Sequence, residues 1–227
     1  MHTSEKDHGE ELKVYTKALV KAVKSNFKTE VEAAEVFFPP DHGDDNQHWY
    51  TYKPTEEEII KYGGYWAAFK QTTSAPHYAA EINVSGKHVW DFAQEQVERG
   101  RRLFIGGWSQ GGALAWELAA WYKDHVAGVM FFSSVPLAQQ LDRSWWAADI
   151  PTVLTYGSNE DYFGPREQWC AAAEHLDAEF LPFTGRHCRE SPILMYITVE
   201  LLKKRADQLA SRNEPSLKKM RWSVTNE

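Results

Sequence analysis

From Gly9 to Lys24, apolar side chains recur at helical spacing. Leu12, Tyr15, Leu19 and Val23 fall on one face, while Lys13, Lys17, Lys21 and Lys24 fall on the other. The pattern predicts an amphipathic helix with a solvated lysine face. Ala34 to Phe38 is a short apolar run stopped by Pro39 and Pro40, which reads as a strand. A polar and aromatic loop from Asp41 to about Pro54 follows. Thr55 ahead of Glu56, Glu57 and Glu58 marks a helix start, because carboxylates favour the positive end of a helix. Gly63 and Gly64 keep that helix short or bent. A further helix lies within Tyr78 to Val97, carried by Val89, Trp90, Ala93 and Val97.

The second half alternates more sharply. Arg102 to Gly106 reads as a strand and Gly112 to Tyr122 as a helix. Val126 to Phe132 is an unbroken apolar run, the signature of a strand covered on both faces. Thr152 to Tyr156 and Glu179 to Phe183 are two more strands, and Glu190 to Arg205 is a closing helix. Helices alternating with short apolar runs predict an α/β fold with a mainly parallel sheet. With 227 residues and no internal repeat, one domain over residues 1–210 is expected, followed by a polar tail over 211–227.

Composition narrows the class. A hydrophobic fraction of 43% and a charged fraction of 25% argue against a disordered or fibrous chain. A net charge of −7 argues against a generic basic nucleic-acid binder. No apolar stretch reaches bilayer-spanning length, and Met1 to Gly9 lacks the apolar segment of a signal peptide. Cys170 and Cys188 are too few for a disulfide framework, so a reducing, cytoplasmic setting is expected. The 10 tryptophans suit an apolar cleft or, better, aromatic core packing.

The strongest chemical signal is Gly107-Trp108-Ser109-Gln110-Gly111. A bare G-x-S-x-G arises by chance, but here a strand runs into it and a helix runs out, which is the setting a nucleophile elbow requires. The flanking glycines let the backbone turn sharply and lift the Ser109 hydroxyl above the sheet edge. The Gln110 backbone N–H can then point at a developing oxyanion. A serine hydroxyl needs a base to take its proton. Downstream, Asp161 follows the strand at Thr152–Tyr156, and His187 follows the strand at Glu179–Phe183. The order serine, acid, histidine returns all three groups to one sheet edge. His187 is the expected general base and then acid, and Asp161 the residue that orients it. Glu160 competes with Asp161 for that place.

Other polar groups lack such a setting. His42 and His48 lie in an acidic loop without zinc-type spacing, so a solvated loop is the better reading. Cys188 has no elbow and reads as a passenger. Ser133 and Ser134 end a buried strand, where loop capping is the better reading.

The stretch Phe104-Ile105-Gly106-Gly107-Trp108-Ser109-Gln110-Gly111-Gly112-Ala113 resembles the G-F-S-Q-G-G-A elbow of the phospholipase/carboxylesterase family of α/β hydrolases, which includes acyl-protein thioesterases and lysophospholipase-like proteins. Val126 to Val129 with Ser133-Ser134 is similar to its next strand and turn. Ile150 to Pro165, through Gly157 and Asp161, resembles its acid-bearing loop, and Gly185 to Cys188 its histidine loop. Ala34 to Pro40 with Trp49 resembles its second-strand region. The likeness is specific from about Gly100 to Arg205 and looser before.

There are departures. Counting from the loop glycine favours Glu160 as the acid, and counting back from Pro165 favours Asp161. The histidine loop is about one residue short, and a helix-containing insertion occupies part of Thr55 to Pro76. The family's N-terminal strand, whose L-H-G-x-G-D end supplies the second oxyanion N–H, is missing: its place falls at His2 to Lys6, without the glycines.

The resemblance implies a cytoplasmic serine hydrolase that cleaves carboxylic esters, acyl thioesters or lysophospholipids, acylated proteins included. It needs no metal or organic cofactor, and Trp49, Tyr50, Tyr65 and Trp66 shape an acyl cleft or belong to the core. The competing expectation, resting on the missing strand, is a catalytically impaired or dead hydrolase-fold protein that binds an acylated partner or ligand.

Overall fold

The computed structural model describes residues 5–38, 49, 55–64, 68, 77–134, 150–159, 166–186 and 190–213. Helix α1 (Glu5–Phe27) opens the chain, longer at both ends than the amphipathic pattern indicated. Helix α2 (Glu56–Tyr62) starts at a capping box. Thr55 Oγ1 accepts from the Glu58 N–H, and the Glu58 carboxylate accepts from the Thr55 N–H. Gly63, at φ 77°, ends this helix, as its position indicated.

The single helix expected within Tyr78–Val97 is two, α3 (His77–Ser85) and α4 (Lys87–Glu98). The break is at Gly86, where a Cβ would stand 2.7 Å from Leu114 Cδ1 and 2.8 Å from the Ile82 carbonyl oxygen. Then follow β1 (Leu103–Trp108), α5 (Gly111–Trp121), a short 3₁₀ turn (Lys123–His125), β2 (Val126–Phe132), β3 (Thr152–Asn159), α6 (Arg166–His175), β4 (Glu179–Arg186) and α7 (Pro192–Asn213). Ser191 caps α7, so the closing helix begins two residues later than expected and runs eight further.

Among the described residues the sheet has four strands in the order β1-β2-β3-β4, all parallel. Both its faces are covered, which is why β2 is an unbroken apolar run and β3 is buried from Thr152 to Gly157. Alternation assigns the side chains. Met130, Phe132 and Val153 face α1 and α7, packing with Tyr15, Leu19, Met195, Val199 and Leu202. Val129, Phe131 and Leu154 face α5 and α6, packing with Trp116, Ala119, Ala173 and Leu176. A third cluster joins α3, α4 and α5 through Ile82, Val89, Ala93, Leu114 and Leu118, with Trp49 among them.

One expected strand is absent. Ala34 to Phe38 is not a strand and has no strand partner among the described residues. It faces β1 across an apolar cavity of ≈ 1120 Å³, lined also by α1, α4 and α5. A strand exists only where a neighbour takes its N–H and C=O groups, and across this gap β1 does not. No described helix is long and apolar enough to cross a membrane.

Candidate active site

The chain leaves β1 at Trp108 and enters α5 at Gly111, so Ser109 and Gln110 form the whole connection. Ser109 has φ 50°, in the left-handed region that a non-glycine residue adopts only when its surroundings impose it, at about 1–3 kcal/mol. Three contacts impose it. The Ser109 N–H donates to the Phe132 carbonyl at 3.1 Å, extending the β1–β2 ladder by one residue. The Ser109 carbonyl accepts from the Gly112 N–H at 3.0 Å and from Ser134 Oγ.

The glycines are demanded by close approach. A Cβ on Gly107 would lie 2.3 Å from the Gly111 carbonyl oxygen, and one on Gly112 would lie 1.9 Å from Ser134 Oγ. This is the strand–turn–helix geometry expected of a nucleophile elbow. Ser134 is thus more than a loop cap, because its hydroxyl fastens the elbow to the end of β2.

Gln110 has helical backbone angles (φ −55°, ψ −28°) and no side-chain cap stands ahead of α5. The N–H groups of Gly112 and Ala113 close on the carbonyls of Ser109 and Gln110, while the amides of Gln110 and Gly111 come before the first of those turns. These leading amides and the positive end of α5 make this corner suited to developing negative charge. The Gln110 side chain has a separate attachment: its Oε1 accepts from the Trp49 N–H at 3.0 Å.

Asp161, Glu160, His187 and Cys188 lie outside the described residues, as do His42, His48, Tyr50, Tyr65 and Trp66. What the structure gives is where the chain departs for the acid and the histidine. Asn159, last in β3, pairs in register with Arg186, last in β4. Ser109, at the end of β1, bonds Phe132, at the end of β2. Positions 109, 160, 161 and 187 therefore each follow the C-terminal end of a parallel strand, where open α/β sheets gather their chemistry.

Sequence reasoning missed two elements of this edge. The first is Glu190, which is 1% exposed. Its Oε1 accepts from Ser133 Oγ at 2.7 Å and from Thr155 Oγ1 at 3.2 Å, while Thr155 Oγ1 accepts from the Ser133 N–H at 3.0 Å. Ser133, at φ 43°, is the second strained non-glycine residue on this edge. The cluster ties the ends of β2 and β3 to the segment that follows the histidine loop. No motif announces it, since its partners are far apart in sequence.

The second is the fixing of Trp49. Its carbonyl accepts from Ser85 Oγ, and its ring stacks on His88 at 5.8 Å and 21°. Trp49 is 5% exposed and belongs to the α3–α4–α5 cluster while also bordering the cavity. Among the described residues no three His, Cys, Asp or Glu side chains converge as a metal site would require.

Comparison with known proteins bears on the family and the fold. Residues 58–178, more than half of the chain, match the family model described as Phospholipase/Carboxylesterase. Among solved structures, a point variant of the SOBER1 protein of Arabidopsis thaliana is 18% identical. That match covers 82% of this chain and 91% of that one, with a TM-score of 0.48. A carboxylesterase from Mesorhizobium loti is 16% identical over 86% of this chain and 82% of its own, at a TM-score of 0.44. A CIB-like hydrolase from Thermoplasma acidophilum is 22% identical over 52% of this chain, at a TM-score of 0.44, and this chain spans 59% of its length. With each of these TM-scores below 0.5, the family rests on the sequence match over residues 58–178.

Proposed function

The chain belongs to the phospholipase/carboxylesterase family of α/β hydrolases, and on that footing we propose that it is a cytoplasmic serine hydrolase acting on carboxylic esters or acyl thioesters. The observation that carries this reading is the backbone of Ser109, held at φ 50° between a strand end and a helix start. Strain of this kind persists only where the fold enforces it, and here it presents a hydroxyl at the sheet edge.

In the mechanism, Ser109 Oγ attacks the acyl carbonyl as His187 takes its proton. The tetrahedral oxyanion forms against the Gln110 N–H at the start of α5. His187 returns the proton to the departing alcohol or thiol, leaving an acyl-enzyme. Water, deprotonated by His187, then attacks the acyl carbon and releases the acid and free Ser109. Asp161 holds the imidazole in the productive tautomer. Lysophospholipids and acylated proteins fall within this substrate class.

One observation favours a second reading. The apolar cavity beside β1 leaves the elbow strand without a described neighbour on that side, as in a hydrolase-fold protein that binds an acylated ligand without turnover. Labelling with a fluorophosphonate serine probe separates the two. Labelling of the wild type that disappears in Ser109→Ala and His187→Ala is the expected result. A folded chain that takes no label is the binding protein instead.

A further inference from the structure

Among the described residues one carboxyl group is buried, that of Glu190. Burial of a carboxylate is unfavourable unless hydrogen bonds compensate, and an apolar side chain of the same shape would fill the space without that cost. We propose that Glu190 is a positioning residue that holds His187 in register with Ser109, an inference that rests on the serine-hydrolase reading above.

Three observations carry it. First, the carboxylate is fastened to two strands of the sheet: its Oε1 accepts from Ser133 Oγ at 2.7 Å, just past the end of β2, and from Thr155 Oγ1 at 3.2 Å, in β3. Second, the two serines that follow β2 divide between two partners. Ser133 holds Glu190, while Ser134 Oγ donates to the Ser109 carbonyl. Adjacent residues of one chain thus tie the nucleophile's turn and Glu190 to a common anchor. Ser133 stands at φ 43° in this arrangement, its N–H given to Thr155 Oγ1 at 3.0 Å.

Third, the link that begins with His187 is short. Arg186 is placed by its register with Asn159, and residues 187–189 alone separate it from Glu190. Four peptide links reach about 14 Å at full extension, so fixing Glu190 takes slack out of the link that carries the base. Proton transfer requires the imidazole within hydrogen-bond reach of the serine oxygen. A displacement of about 1 Å is enough to cost about a hundredfold.

The test is steady-state hydrolysis of a short-chain thioester by the full chain, at a temperature where circular dichroism shows each variant folded, with Ser109→Ala as the blank. Glu190→Ala deletes the acceptor. The expected result is a fall in kcat of about a hundredfold with KM little changed, because the base is displaced while acyl binding is not. Glu190→Gln keeps an accepting oxygen at the same reach and should recover most of kcat. Glu190→Asp, one methylene shorter, should behave like Glu190→Ala. The acid limb of the kcat/KM profile, which reports the imidazole, should stay in place in Glu190→Gln, since the role is to hold the base and not to charge it.

Ser133→Ala is the second variant. It removes one of the two donors and leaves the carboxyl, so kcat should fall about tenfold. Its loss should not add to that of Glu190→Ala, because both undo the same contact. Wild-type kcat in a folded Glu190→Ala protein overturns the proposal and leaves Glu190 a structural tie alone. So does a loss confined to KM, a Glu190→Gln protein as slow as Glu190→Ala, or an acid limb displaced in Glu190→Gln. Where Glu190→Ala melts too low to assay, wild-type kcat in Ser133→Ala overturns it equally. Wild-type protein no faster than Ser109→Ala overturns the serine-hydrolase reading itself, and this inference with it.

Discussion

The two edges of β1 have opposite surroundings. Toward β2 the strand is laddered from Leu103 to Trp108, and the ladder continues through the Ser109 N–H. Phe131 and Phe132 beside it are wholly buried, and Trp108 stacks on Phe132 at 4.2 Å. Toward Thr29–Phe38 the strand meets a cavity instead of a chain. The segment across the gap is held at separated points, by the Arg101–Glu32 ion pair and by Phe37 against Phe92 and His88. The turn at Ser109 is thus secured from one side, by β2, Ser134 and the start of α5. Apolar residues alone do not make a strand, because Ala34–Phe38 has them and lacks only a neighbour.

Substitutions on the two sides should differ accordingly. Phe131→Ala removes a wholly buried ring on the laddered side and should cost about 3–5 kcal/mol, read as a fall in the urea midpoint. Glu190→Ala removes the acceptor shared by Ser133 and Thr155 and should cost about 1–3 kcal/mol in the same assay. Phe38→Ala lies across the cavity at 38% exposure and should change stability by no more than about 0.5 kcal/mol. A loss from Phe38→Ala approaching that of Phe131→Ala would mean that the far side is packed as firmly as the ladder, and the contrast would fail.

The smallest effect is at alkaline pH. Burial first, then the negative charges of Glu98 and Asp91, push the Tyr122 phenol above its ordinary value of 10.0. The folded chain therefore holds this proton more tightly than the unfolded one. The associated stability is complete below about pH 10 and declines as pH rises through the shifted value. A Tyr122→Phe variant should show a shallower alkaline loss in thermal melts. An unchanged slope would assign that loss to other groups.

The sequence made the covered strands legible because a strand buried on both faces must be apolar throughout, as Val126–Phe132 is. Helix α2 was legible because Thr55 and Glu58 are a local device. The break at Gly86 was not, since its cause is Leu114, far along the chain. The strand–turn–helix corner at Ser109 and Gln110 was legible because so tight a turn needs glycine at fixed offsets. Glu190, Ser134 and the seat of Trp49 were not. Each acts across at least 25 residues through hydrogen bonds that leave no periodic trace.

The left-handed backbone of Ser109 has a consequence for anyone breeding sturdier versions of this protein. Glycine adopts that conformation without the steric cost, so Ser109→Gly relieves about 1 kcal/mol while deleting the hydroxyl. On the proposed serine-hydrolase function, a library sorted by heat resistance alone would drift toward that change and enrich survivors that no longer react. Sorting has to follow the proposed activity along with the melting point, since at position 109 the two pull apart.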